Sequence, residues 1–335
     1  MRLMAACALV LVVAASGCRE LAVPPAGSYS EVLLVTEEGE TDRWNKVLTP
    51  LVANELDYVI SQEFAFEVSA TPARDLEEFP TYKNIVLCGP LDPSTEVGRR
   101  IESLIGTQAA RRVYQGTAAI LKKEDMPSPG QLTVVITAAS DAELEMVIEE
   151  RGHELSDIIE ASCRERLRRS LLTNANTALS QDLQRRFGFT VDIPGLYTLF
   201  SDDGRPPGIE LLRQPPARVL GVYWVDRKEA PTENDGDELF EIRSNYVWKR
   251  YDHDKMDRDK VHFETTRLGP YDAVLMAGYW YNDDAVAGGY FETYFVFDPD
   301  ARLLWAVDLV VYAPGRPKHA LVRELQALAE TFRYD

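Results

Sequence analysis

Histidine is scarce in this chain: His153, His253, His262 and His319 are the only four among 335 residues. A site built from clustered imidazoles has little to draw on, although a pair of carboxylates can do acid–base work without one. Bases are also short, 36 Lys and Arg against 54 Asp and Glu, for a net charge of −18. A surface this acidic is repelled by phosphate backbones, so nucleic acid is not an expected partner, and a polybasic membrane patch is excluded on the same ground. No Gly-rich phosphate loop, H-E-x-x-H, C-x-x-C or G-x-S-x-G elbow is present, and no cofactor is expected. Solenoid-length repeats and low-complexity tracts are missing too. No apolar run reaches the roughly 20 residues that a membrane span needs. The longest, "LMAACALVLVVAA", covers residues 3 to 15.

That run follows Met1 and Arg2 and exits through small residues, the order of a secretory signal. Cys18 comes directly after Ala15, Ser16 and Gly17. The segment resembles the lipobox of bacterial lipoproteins, which implies cleavage before Cys18 and acylation of that residue. Residues 1–17 are then a signal peptide. Residues 18–30 are a lipidated cysteine with a tether, stiffened by Pro24 and Pro25. Each buried methylene of a lipid contributes about 0.8 kcal/mol, so two or three chains hold a protein stably. By analogy with lipoprotein sorting, Glu20 after Arg19 favours the outer membrane. Of the remaining cysteines, Cys88 lies in an apolar strand pattern and Cys163 on an apolar helical stripe. Both read as unpaired core residues, with a disulfide as the alternative in an oxidising compartment.

The apolar fraction of 45% supports a sizeable core, and the length suits one large domain or two. Residues 31–172 alternate strand and helix patterns and read as an α/β domain. Strands are expected at 31–36, 64–68 and 83–89, then at "TAAILKK" and "LTVVIT". One helix is expected to open with Thr49 as cap and Pro50 in its first turn. A second should open at Asp92 and Pro93 and end at Gly106. A third should open with the capping pair Ser140 and Glu143. Residues 173–335 read as α+β: a strand-like stretch at 187–200 with a Pro-Gly break, a strand at 218–226, a helix at 237–251, and a three-stranded antiparallel meander. A terminal helix from Pro317 carries Leu321, Leu325, Leu328 and Phe332 on one stripe and covers the meander. The fold class is therefore α/β to α+β.

Several stretches together resemble a known family: "SEVLLVTEEGETDRWNKVLTP", "QEFAFEVS", "YKNIVLCG" and "GGYFETYFVFDPDARLLWAVDLVVYAPGRPKHALVRELQALAETF". The chain is similar, from residue 30 to 333, to bacterial lipoproteins catalogued as domain of unknown function 4837. A "GPF"-like turn of that family appears here as Gly288-Gly289-Tyr290. The resemblance implies export and lipidation and carries no activity with it.

Three groups of residues can carry chemistry. Glu63 and Glu67 flank a strand at even spacing and should point the same way, as an acid pair or as two exposed strand residues. Residues 251–262 gather Asp252, Asp254, Asp257, Asp259, His253 and His262. Their spacing does not fit a calcium loop, and Lys255, Arg258 and Lys260 neutralise them, so a solvated loop without metal is expected. Aromatic residues crowd the meander. Strand alternation sends Val274, Met276 and Trp280 to one face, with Phe291, Phe295 and Phe297 sharing a face on the next strand. Tyr290 and Tyr294 fall with Glu292 on the other face and are the candidate exposed, ligand-binding residues. His153 and His319 should be solvated. The expectation is a lipid-anchored envelope protein, a non-catalytic binding or assembly module for a protein or glycan partner. The alternative is an envelope hydrolase that cuts glycan or peptide through carboxylates.

Overall fold

The computed structural model describes residues 25–55, 63–202 and 206–334. The signal segment, Cys18 and most of the tether lie outside the described residues. The first half opens with β1 (Glu31–Thr36), α1 (Thr41–Ala53), β2 (Glu67–Pro72) and β3 (Asn84–Cys88). Next come α2 (Glu96–Ile105), α3 (Thr107–Tyr114), β4 (Ala119–Glu124) and β5 (Leu132–Thr137), then α4 (Asp141–Arg151) and α5 (Glu154–Leu171). The strands form one sheet in the order β2-β1-β3-β5-β4, parallel except for β4. Its central strands are buried on both faces, which explains their continuous apolar runs. Val32, Leu34, Val86 and Ile136 face α1, α4 and α5, while Leu33, Val35, Ile85 and Leu87 face α2 and α3.

The second half contains α6 (Thr177–Phe187), β6 (Phe189–Thr190), β7 (Thr198–Ser201), β8 (Gly208–Arg213), β9 (Ala217–Asp226) and α7 (Gly236–Arg250). It continues through β10 (Lys255–Met256), β11 (His262–Leu268), β12 (Tyr271–Asn282), β13 (Ala287–Asp298) and β14 (Leu303–Tyr312) to α8 (His319–Ala329) and β15 (Arg333–Tyr334). The large antiparallel sheet runs β10-β12-β13-β14-β9-β8-β7, and β11 pairs with β12 beside β10. The expected meander is β12, β13 and β14. Its second turn is held by the Asp298 side chain, which accepts from the N–H groups of Asp300 and Ala301 at 3.0 Å each. One face packs Trp305, Val307, Leu309 and Val311 under α6 and α8. The other packs Met276, Trp280, Phe291 and Phe295 under α7. Within that second layer Arg243 of α7 is fully buried on Asp308 at 2.8 Å, with Thr293 as a further partner.

Helix α8 also contacts α5 and so joins the halves. Its Val322, Leu325 and Leu328 are sealed against the large sheet, each contributing roughly 2 kcal/mol by burial. Its Arg323, only 1% exposed, reaches the other way. The guanidinium binds Glu160 of α5 through Nε at 2.8 Å and Nη2 at 2.6 Å, and donates to Ser30 Oγ and the Ala65 carbonyl. Burial alone would raise the Glu160 pKa. Hydrogen bonds from His319 and Arg323, with their charges, outweigh it and hold the carboxyl at about 2.

Several expectations need correction. Pro50 does not open a helix, because α1 starts at Thr41 and runs through Pro50 to Ala53, and the Thr49 hydroxyl donates back to Asn45 at 2.7 Å. The second helix is capped by Thr95 and not by Asp92, whose carboxylate instead closes a turn on the Ser94 N–H. The strand expected at 64–68 lies at 67–72, and Phe64 makes only an isolated bridge to Glu55. His319 is buried, packed at the start of α8 against Glu160, whereas His153 is exposed. Cys88 and Cys163 are free and buried, and the Cys163 thiol donates to the Tyr29 carbonyl at 3.3 Å.

Candidate functional site

The β12–β13 register places Tyr279 opposite Tyr290, Ala277 opposite Glu292 and Leu275 opposite Tyr294. Alternation then puts Tyr290, Glu292 and Tyr294 on one face, as the sequence indicates. That face is not open. Helix α8 lies over it, and the exposures of Tyr290, Glu292 and Tyr294 are 2%, 3% and 8%. The two tyrosines are therefore corrected from an exposed pair to buried donors. Tyr290 donates to Glu292 Oε1 at 3.2 Å, Tyr294 to Oε2 at 3.0 Å, and Gln326 of α8 to both oxygens at 3.1 and 2.9 Å. Burial pushes the Glu292 carboxyl above the usual carboxylate range, and these three neutral donors offset only part of that. The group forms the floor of a cavity of about 400 Å³, which Arg164, His262, Glu264 and Arg267 also line.

The other candidate pair separates. Glu67 is exposed at the start of β2, while Glu63, outside any strand, is 8% exposed and packs against the start of α8. Its Oε2 accepts from the N–H groups of Lys318 and His319 at 2.8 and 3.3 Å. A carboxylate there satisfies donors left open at the helix start and sits at the positive end of the helix dipole. Its Oε1 is buried with no hydrogen-bond partner, and the Lys318 ammonium stands 3.8 Å away.

Glu63 also lines a cleft of about 1130 Å³ at the end of the large sheet. The described walls include Tyr279, Trp280 and Tyr281 of β12, Gly288 and Gly289 of β13, and the 314–318 loop. Gly289 has a physical reason: a Cβ there would lie 2.0 Å from the Val311 carbonyl oxygen and 2.7 Å from Trp280 Nε1. Tyr279 is half-buried, and burial together with the Glu63 charge raises its hydroxyl pKa, so both groups share one electrostatic environment. Lys260 and Asp257 pair across the rim at 3.1 Å. Sequence reasoning missed the cleft, since Glu63 meets Lys318 across 255 positions. The aromatic run at 279–281 was its one local signal.

The acidic stretch 251–262 is ordered by short contacts. Buried Asp254 accepts from Asn282 at 2.9 Å, and Arg258 pairs with Asp237. Among the described residues no three His, Cys, Asp or Glu side chains gather as a metal site.

Residues 176–331 match the family model described as "Domain of unknown function (DUF4837)". The match supports the domain resemblance over residues 176–331. The DUF4837 match takes in Tyr290, Glu292, Tyr294 and Gln326, and all of the described cleft wall except Glu63. No curated protein matches the chain. A solved structure from Bacteroides thetaiotaomicron VPI-5482 is similar at 11% identity, with a TM-score of 0.29 over 44% of this chain. The chain spans 45% of that protein's length, and a likeness of this degree carries no argument.

Proposed function

We propose that this chain is a lipid-anchored protein of the bacterial cell envelope, held at the outer membrane through Cys18, whose body is a non-catalytic binding module for an envelope glycan or protein. The anchor reading rests on Ala15-Ser16-Gly17-Cys18 behind a 13-residue apolar run. It is compatible with the finding that no helix among the described residues is long and apolar enough to cross a membrane. The observation that carries the binding reading is the cleft, whose lining joins Tyr279, Trp280 and Tyr281 to Glu63, a residue with one buried carboxylate oxygen that has no hydrogen bond. A buried acceptor left open costs about 1–3 kcal/mol, and a ligand donor recovers it. Two experiments test the reading. Replacing Cys18 by Ser should abolish fatty-acid labelling and release the protein from membranes; unchanged labelling rejects the anchor. Crosslinking in intact cells should return a stoichiometric partner, and its absence counts against the binding module.

One observation favours a second reading, that of a hydrolase. Glu292 has the raised proton affinity of a general acid and shares its cavity with Glu264. Under this reading the full chain cleaves glycan or peptide and Glu292→Gln abolishes turnover. Cleavage that survives the substitution rules out Glu292 as the acid.

A further inference from the structure

We propose that the cleft at the end of the large sheet binds a saccharide bearing a carboxylate; this rests on the binding-module reading and names the ligand class of that same site. Three observations converge.

The first is the hydrogen-bonding demand. Glu63 lines the cleft, and its Oε1, buried behind that wall, lacks a hydrogen bond. Its other oxygen is committed to the start of α8. A hydroxyl of a sugar ring is a donor of the right kind, and it need not carry charge into a partly buried place.

The second is charge. The rim holds three cations, Lys260, Arg316 and Lys318. Lys260 is paired with Asp257 and Lys318 with Glu63. Arg316 is exposed, and its guanidinium has no acidic partner among the described residues. The wall is therefore left with about one uncompensated positive charge on a chain of net charge −18. One carboxylate on the ligand meets it, and a guanidinium takes a carboxylate through two parallel hydrogen bonds.

The third is shape. Tyr279 and Tyr281 lie at the wall, and opposite Tyr281 the exposed Gly288 adds no side chain. Flat aromatic faces next to a wall without side chains suit a pyranose ring. A peptide has less to hold. Peptides commonly add to a free strand edge, and the outer edge of β12 at the cleft is already paired by β10, with Lys255 opposite Tyr281 and Met256 opposite Trp280. Strand β13 pairs with β14 from Tyr290 onward, and on that side only Ala287 to Gly289 are left open, a stretch shorter than the usual strand of about five or six residues.

The experiment uses the full chain in detergent micelles on an array of uronate-bearing and neutral oligosaccharides and acidic peptides, followed by titration of the binders. Uronate-bearing sugars should bind, more weakly at high salt. Arg316→Ala should lower their affinity at least tenfold, to that of the neutral counterparts. Arg316 lies on an exposed loop, and unchanged circular dichroism verifies folding. Glu63→Gln keeps an acceptor for α8 but places an amide toward the ligand, and it should weaken acidic and neutral sugars alike. Equal binding of neutral and acidic sugars, or an Arg316→Ala protein that binds as well as wild type, overturns the inference and leaves the binding module standing. Binding of peptides alone does the same. If no saccharide binds and crosslinking also returns no partner, both the inference and the reading beneath it fail.

Discussion

Replacing Glu160 by Gln should remove the main polar tie between the two halves. Glu160 is 16% exposed and Arg323 1%, so solvent screens the pair little. The Glu160 carboxyl titrates at about 2 in the folded chain, against an ordinary value of 4.5. At about 1.4 kcal/mol per unit, that difference amounts to about 3 kcal/mol of stability. A depressed acid contributes above its unfolded value and loses the contribution as pH falls through the folded one. The full effect is therefore present at pH 7, and it fades between pH 4.5 and about 2. An independent figure agrees: removing one partner of a buried ion pair costs about 3–5 kcal/mol, because Arg323 keeps its charge with no carboxylate beside it, held by Ser30 Oγ, the Ala65 carbonyl and the Phe66 ring. Denaturant unfolding of wild type, Glu160→Gln, Arg323→Met and the double variant should show a loss of about 3 kcal/mol for the first at pH 7. The double variant should recover part of that loss, and the gap between Glu160→Gln and wild type should narrow in acid. A loss below about 1 kcal/mol, the range of an exposed pair, or a gap that does not change with pH refutes the reasoning.

Glu292 predicts the opposite pH slope. Its raised folded pKa means that the native chain keeps a proton the unfolded chain releases, so wild type loses stability as pH rises above the ordinary carboxylate range. Glu292→Gln should flatten that slope and match or exceed wild type at pH 8, as read by urea unfolding across pH; a steeper slope contradicts the assignment. Gly289→Ala should cost about 1–3 kcal/mol, because its methyl must displace backbone at Val311. Thermal unfolding checks it, and an unchanged midpoint would show that the strand ends have slack there.

What could be read in advance divides along a physical line. Alternation along β12 to β14 is a local property, so the shared faces of Trp280 and Met276, and of Tyr290, Glu292 and Tyr294, were legible. Whether a strand face meets water depends on what lies across it. The cover over Glu292 is Gln326, 34 positions later, so a glutamate between two tyrosines looked wet. Glu63 fails for the same reason at longer range. Local errors have local causes: Thr49-Pro50 resembles a helix start, yet the i, i+4, i+8 spacing of Trp44, Leu48 and Val52 carries α1 through it. Strand β11, which follows the acidic stretch, was missed because an exposed edge strand shows little apolar alternation. Short β8, between Pro207 and the paired prolines 215 and 216, was lost among turn signals.

The segment 27–30 bears on how the molecule would carry mechanical load. The Gly27 N–H bonds the Thr81 carbonyl at 2.9 Å, Asn84 donates to the Tyr29 carbonyl at 3.0 Å, and Arg323 holds Ser30. Pro25, buried beside Tyr29, Lys83 and Arg166, already belongs to the body, so if Cys18 is the attachment point the leash between the two is at most residues 18–24, a reach of roughly 25 Å at full extension. Tension on that leash would enter the body at the junction of the two sheets, where β1, α5 and α8 meet, and be shared by both halves.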